Sequence, residues 1–195
     1  MALSALSDEL MRAEGMMMQD QNEEALELLL RLAEDAEEYV DRNCHTTDEV
    51  QYFAFPTLFD RLAYRRVEND PRKLEDVAEP FDRLYGDLAM AYVRTGDYES
   101  AMNALKTAIR WNPMNCGFRL DLADLFKIAG DIREQMALTF GVFERASEAR
   151  HLTRAFLNFA AWFEAQGRLE QAAACLRAAR RFEVKDGALE AALDQ

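Results

Sequence analysis

The sequence predicts an all-α fold of stacked antiparallel helical hairpins, with about nine or ten helices in all. Three observations lead to this prediction. Good helix formers dominate the 195 residues, whereas only 8 Gly and 4 Pro are present. Apolar residues recur at three- and four-residue steps through most of the chain. Glycines recur in the similar stretches "RTGDYESA", "IAGDIREQ" and "AQGRLEQA", at Gly96, Gly130 and Gly167.

Residues 1–80 are predicted to form an N-terminal helical region. The stretch "EEALELLLRLAEDAEEYV" has the period of an amphipathic helix and pairs with an earlier helix as a hairpin, which we interpret as a diverged repeat. Thr47 is expected to cap a further helix that Pro56 kinks or breaks, and a second helix follows through Leu58 and Tyr64. The stretch "NDPRKLEDVAEP" is expected to be a linking loop.

Residues 81–195 are predicted to hold three repeats, at about 82–115, 116–149 and 153–186, followed by a short capping helix. The glycines end the first helix of each repeat in a left-handed conformation, and the small residues let helices pack closely. Pro113 ends the second helix of the first repeat. The structural repeat positions are Tyr85, Leu88, Ala89, Tyr92, Gly96, Ala101, Ala108, Pro113, Ala123, Phe126, Gly130, Ala160, Phe163, Gly167, Ala172 and Ala179.

This spacing of aromatic, leucine, small and proline residues resembles the tetratricopeptide repeat. In overall layout the chain resembles uncharacterised bacterial proteins of that family. The resemblance implies a right-handed α-α superhelix whose concave groove binds a peptide or a partner protein. The second repeat departs from the pattern, because Gln135, Thr139 and Val142 occupy the core positions of its second helix. We therefore expect its apolar face to shift by one residue, to Met136, Phe140 and Phe143.

Charge and composition restrict the classes of partner. The formal net charge is -13, and residues 1–70 alone hold 17 acidic and 6 basic side chains. Such a chain repels a phosphate backbone, so we expect no nucleic-acid ligand. No secretory signal or membrane-spanning run is found, and the 3 Cys are odd in number, so we expect a cytoplasmic protein without disulfides. No motif for a metal or cofactor is recognised, and we predict neither.

The leading functional hypothesis is a non-enzymatic protein-interaction module. In the family that the chain resembles, the first helix of each repeat lines the concave groove. Counted along the pattern, these positions are rich in arginine, which suggests a ligand with apolar anchors and some negative charge. The candidate groove residues are Arg83, Met90, Arg94, Leu120, Asp124, Lys127, Arg154 and Leu157. Ordinary solvated positions explain the same residues equally well.

Two alternatives belong to other classes of function. The aromatic residues Tyr52, Phe53, Phe55 and Phe59 of the N-terminal region would form a homodimer interface in a self-associating structural protein. An enzyme that uses cysteine or histidine chemistry is the less favoured alternative, because neither His45 nor His151 has a partner at a recognised spacing.

Overall fold

The computed structural model describes residues 2–182, 184 and 186–193, with side chains except at positions 2–4, 188 and 190. The all-α class and the antiparallel hairpins are confirmed, with ten helices and two short strands among the described residues. By its internal contacts the chain divides into two compact units, residues 1–114 and 115–195. The sequence pattern predicted a different boundary, between residues 80 and 81, where the regular repeats begin. That boundary stays a prediction.

The first unit contains two helical hairpins with an insertion between them. The elements are α1 Ala2–Met18, α2 Asn22–Asn43, β1 Val50–Phe53, α3 Leu58–Glu68, β2 Lys73–Asp76, α4 Phe81–Thr95 and α5 Tyr98–Trp111. Helices α1 and α2 pack against each other, α4 packs extensively on α5, and α2 packs along α4. The α1–α2 hairpin thus contacts α4 as one repeat contacts the next.

The insertion corrects the prediction of a Pro56-kinked helix. Residues 50–53 form strand β1, which pairs in parallel with β2, where only a loop was expected. The stretch "VQYF" is rich in the β-branched and aromatic residues that suit a strand, and the residue before Pro56 is disfavoured in a helix. Thr47 caps no helix, since its hydroxyl accepts from the backbone N–H groups of Glu49 and Val50, both at 3.1 Å. The second predicted helix exists as α3.

A separate apolar core holds the insertion together. Phe53 and Phe55 stack with ring centroids 4.8 Å apart, and Tyr64 of α3 packs on both rings. Leu74 of β2 and Met114, which follows α5, complete the cluster. The backbone N–H of Ala54 donates to the carbonyl of Trp111 at 2.9 Å, which connects the end of β1 to the end of α5.

The second unit contains two more hairpins and a short last helix. Its elements are α6 Cys116–Ile128, α7 Ile132–Arg145, α8 Ala149–Ala165, α9 Leu169–Arg180 and α10 Gly187–Leu193. Helix α7 packs on α8, α6 also contacts α8, and α10 packs against α8 and α9. The last two residues of the segment predicted as a capping helix lie outside the described residues.

The three repeat glycines have left-handed backbone conformations, with φ of 85° at Gly96, 82° at Gly130 and 71° at Gly167. A residue with a Cβ is strained in this region, which explains why glycine recurs where the first helix of each hairpin ends. The alanines at the predicted repeat positions of α5 and α9 are buried, with Ala101 and Ala108 fully inaccessible to solvent.

The expected shift of the apolar face in α7 is wrong. Gln135, Thr139 and Val142 are buried at 5, 0 and 0 % exposure, whereas Phe140 is 61 % exposed. Thr139 is accommodated in the core because its hydroxyl donates to the backbone carbonyl of Gln135 at 2.8 Å. The helix therefore keeps its register with the Thr139 hydroxyl satisfied, rather than rotating to bury Phe140.

Candidate functional site

The predicted groove residues of α4 contact α1. Arg83 donates from Nε and Nη2 to one oxygen of Glu14, Oε1, at 2.9 and 2.7 Å. Arg94 donates from Nη1 to the carbonyl of Met17 at 2.8 Å. Both arginines thus bind groups of α1, and the charge of Arg83 is compensated within the chain. Met90, on the same helix, is 49 % exposed.

A buried carboxyl group lies beside Arg83. Asp87 Oδ2 is buried, has no hydrogen-bond donor among the described residues, and lies 3.8 Å from Arg83 Nε. Burial, reinforced by the charge of Glu14, raises the pKa of Asp87 to about 7, although Arg83 opposes the shift. A proton is therefore bound there over part of the physiological pH range.

In the second unit, an arginine again bridges the first helices of successive hairpins. Arg154 of α8 donates from Nη2 to Asp121 Oδ1 and to Asp124 Oδ2 of α6, both at 2.8 Å. These two acidic residues raise the pKa of Arg154 against the effect of its own burial. The positive charge predicted to meet a ligand is thus already paired with two carboxylates.

The remaining groove candidates of the second unit differ in accessibility. Lys127 is exposed near the end of α6 and forms no ion pair within the described part of the chain, and Leu157 of α8 is half-buried. Leu120 is fully buried in a cluster with Cys116, Val142 and Ala155. The groove position predicted for Leu120 is corrected accordingly, because the i, i+4 spacing of Cys116 and Leu120 turns both toward α7 and α8. We call the surface of Asp124, Lys127, Arg154 and Leu157 the α6–α8 face.

The sequence pattern missed the acidic partners Glu14 and Asp121. Glu14 lies 69 residues before Arg83, so no local spacing signals the pair. Asp121 lies on α6, and only the packing of α6 beside α8 brings it to Arg154.

The three cysteines lie in different parts of the fold, with Cys44 after α2, Cys116 in α6 and Cys175 in α9. Burial raises the pKa of Cys44, Cys116 and Cys175, which disfavours the reactive thiolate. Burial lowers the pKa of His151. Within the described residues, no three histidine, cysteine or acidic side chains are placed to hold a metal ion. No helix of the described part combines the length and the apolar character that crossing a bilayer requires.

Comparison with known proteins identifies the class of repeat. Residues 82–115 match the family model of the tetratricopeptide repeat. The chain therefore contains a tetratricopeptide repeat, folded as the α4–α5 hairpin, and the predicted resemblance is confirmed. The match covers the first predicted repeat, and the second and third stay predictions at the level of sequence. No curated protein matches the chain.

Solved structures of the protein MamA match the chain at low sequence identity. One crystal structure of MamA is 14 % identical, with a TM-score of 0.44, and the match covers 88 % of this chain and 94 % of that one. A second is 12 % identical, with a TM-score of 0.43 and 91 % coverage of both chains. A third, described as MamA AMB-1, is 16 % identical, with a TM-score of 0.41 and 94 % coverage of both.

Proposed function

We propose that this protein is a non-enzymatic interaction module that binds a peptide segment of a partner protein on the first helices of its hairpins, in the cytoplasm. The observation that carries the proposal is the tetratricopeptide repeat at 82–115, folded as a helical hairpin. Hairpins of this kind cannot cover their apolar faces alone, and stacking them creates extended surfaces that suit a partner chain. The repeat supports a scaffold in general terms, and the choice of surface is our own inference.

The α6–α8 face is the surface that we assign to the partner in the second unit. Because Arg154 is already paired with Asp121 and Asp124, the cation available to a ligand is Lys127. The half-buried side chain of Leu157 offers an apolar contact beside it. The fitting ligand is a segment with one apolar anchor and an acidic group near it.

Affinity capture from the native cell extract tests this surface. The full chain is compared with a Lys127→Glu, Leu157→Ser variant, which changes accessible side chains and leaves the Arg154 ion pairs intact. An Arg133→Glu, Ala137→Ser variant makes the same reversal of charge and introduces one serine at exposed positions of α7. We expect the first variant alone to lose the captured partners in quantitative mass spectrometry. Equal recovery by both variants would remove the α6–α8 face from the proposal.

A second candidate function, self-association, is favoured by the outer face of α3. Leu58, Phe59 and Leu62 are 70, 62 and 60 % exposed and lie on one side of this helix. The interface differs from the one that the sequence suggested, because Phe53 and Phe55 are core residues at 1 and 7 % exposure. The three exposed side chains are available to a second copy of the chain.

Light scattering over a range of protein concentrations tests self-association. We expect a rise in mean mass that Leu62→Ser abolishes, with Leu169→Ser as the control at a 65 % exposed leucine of the second unit. A constant monomer mass for the unmodified chain would end this candidate.

A further inference from the structure

A furrow runs between α2 and α5 on the surface of the first unit. Both helices pack on α4, but they have little contact with each other. Two cavities of about 580 and 270 Å³ lie along this gap. Glu37, Tyr85 and Thr107 line both cavities, so the two form one continuous depression. We call it the α2–α5 furrow.

The floor of the α2–α5 furrow is an apolar strip of α4. Tyr85, Leu88 and Tyr92 follow one another at three- and four-residue steps and face the gap. Burial, with the nearby charge of Glu37 as the next cause, raises the pKa of Tyr85 to about 12. Its phenol therefore stays neutral at physiological pH and keeps a hydroxyl that can donate a hydrogen bond.

One wall of the furrow is acidic. Glu34, Glu37 and Asp41 of α2 line the cavities at three- and four-residue steps and are exposed. None of these three forms an ion pair with a described residue. The carboxylates thus face an open depression in which Arg110, at one end, is the basic lining side chain.

The opposite wall, from α5, is polar and mostly uncharged. Asn103 and Thr107 lie one turn apart, and the Thr107 hydroxyl donates to the Asn103 carbonyl at 3.2 Å. That carbonyl is the backbone group of Asn103. Its exposed side chain therefore keeps the Nδ2 donor and the Oδ1 acceptor for other groups. Such an amide suits the N–H and C=O groups of an extended peptide. Arg110 lies at one end of this wall, with its guanidinium carbon 5.2 Å from the centre of the Trp111 ring.

The length of the furrow limits the ligand. From Ser100 to Arg110 the α5 wall rises by roughly 15 Å, at about 1.5 Å per helical residue. An extended chain advances about 3.3 Å per residue, so the wall accommodates about five residues.

We propose that the α2–α5 furrow binds an extended peptide segment of about five residues that carries at least two lysine or arginine side chains. The basic side chains point to Glu34, Glu37 and Asp41, and an apolar side chain between them packs on Tyr85 and Tyr92. Asn103 binds the peptide backbone. The acidic wall selects against phosphate-bearing ligands, and the furrow is separate from the α6–α8 face.

Random heptapeptides displayed on phage provide the probe. They are selected against the immobilised full chain, and the enriched peptides are synthesised with a fluorophore for polarisation measurements. We expect the enriched sequences to carry two or more basic residues. Enrichment of acidic sequences, or of none, would overturn the proposal.

Four variants, each first checked for an unchanged circular dichroism spectrum, locate the binding. We expect about a tenfold or greater loss of affinity with Asn103→Arg, Thr107→Arg, which fills the furrow, and with Glu34→Gln, Glu37→Gln. Glu23→Gln, Glu24→Gln makes the same charge change in the first turn of α2 and should have little effect. Loss of affinity only in Lys127→Glu, Leu157→Ser would overturn the furrow and support the α6–α8 face, so the two proposals are separable.

Discussion

Asn112 donates a side-chain hydrogen bond from Nδ2 to Oδ2 of Asp82 at 2.9 Å, and the two residues are only 2 and 7 % exposed. The bond connects the residue after α5 to the first turn of α4. Asn112 Oδ1 accepts from the N–H of Met114 at 3.2 Å, and Asp82 Oδ1 accepts from the N–H of Arg83 at 2.8 Å. Burial raises the pKa of Asp82, and the bond from Asn112 opposes this rise. The pair thus closes the tetratricopeptide hairpin with all four side-chain polar atoms satisfied.

We predict that Asn112→Ala lowers the free energy of unfolding by about 1–3 kcal/mol, because it leaves the buried Asp82 carboxyl without its side-chain donor. Urea denaturation monitored by circular dichroism measures the change. Asn103→Ala, at an exposed position of α5, is the control and should have little effect. If the two alanine variants have equal stability, the pair does not stabilise the hairpin.

Asp87 predicts a specific pH dependence. Its pKa is raised from the ordinary 3.8 to about 7, so the folded chain retains a proton that the unfolded chain has released in this range. The contribution of Asp87 to stability therefore decreases as the pH rises from about 4 to 7. We predict that Asp87→Asn stabilises the protein by about 1–2 kcal/mol at pH 8 and has little effect near pH 4.

The measurement for Asp87 is urea denaturation of the unmodified chain and the variant at both pH values, with Asp8→Asn as the control at an exposed position of α1. The difference between the two chains isolates Asp87 from the other carboxyl groups. A stabilisation that is independent of pH would contradict the assignment of the proton to Asp87.

Asp70 connects α3 to the segment before β2, and its substitution should destabilise the fold, whereas substitution of Asp87 should stabilise it. It accepts from the Tyr64 hydroxyl at 3.0 Å and from Arg72 Nε at 2.9 Å, and Arg72 holds the pKa of Asp70 well below its ordinary value. Because the pKa of Asp70 is lowered in the folded chain, the ionised carboxylate stabilises the fold at any pH above its ordinary pKa. This stabilisation is lost as the pH falls below the ordinary pKa toward the lowered one.

We predict that Asp70→Ala costs about 2–3 kcal/mol at pH 7 and makes residues 44–80 more susceptible to limited proteolysis. Thermal unfolding and mapping of the cleavage sites measure the two effects. Asp48→Ala, an exposed change in the same insertion, serves for comparison. Matching cleavage patterns in the two variants would refute a stabilising role for Asp70.

The buried alanine at position 101 should not tolerate a larger side chain without a loss of stability. Ala101 is fully buried in the α4–α5 hairpin. Ala101→Leu should cost about 1–3 kcal/mol through overpacking. Ala137→Leu, which adds the same volume at an exposed position of α7, should be close to neutral in chemical denaturation. An unchanged midpoint for Ala101→Leu would show that the hairpin is less tightly packed than its burial indicates.

The sequence sufficed for the features that depend on local chemistry. Gly96, Gly130 and Gly167 marked the helix ends because a positive φ leaves few other choices, and the period of the apolar residues located the helices. The pairing of β1 with β2 was missed because parallel strands are joined across an intervening helix, and four-residue strands carry little periodicity of their own.

The candidate surfaces were harder to predict for a similar reason. Arg83 and Arg154 were placed on the first helices of their hairpins, but their acidic partners depend on tertiary packing. In α7 the polar residues Gln135 and Thr139 looked unsuited to a core, yet a hydrogen bond within the helix allows Thr139 to be buried. A hydrophobic pattern in the sequence does not show that a polar side chain will form such a hydrogen bond.

The position of Met114 in the core of the insertion has a consequence for synthesis on the ribosome. The insertion between α2 and α4 packs its aromatic rings against a side chain that follows α5. A nascent chain that has emerged only as far as β2 lacks this side chain, and the α4–α5 hairpin must be translated before the cluster is complete. The apolar core of the insertion is therefore completed only after residue 114 has left the ribosome.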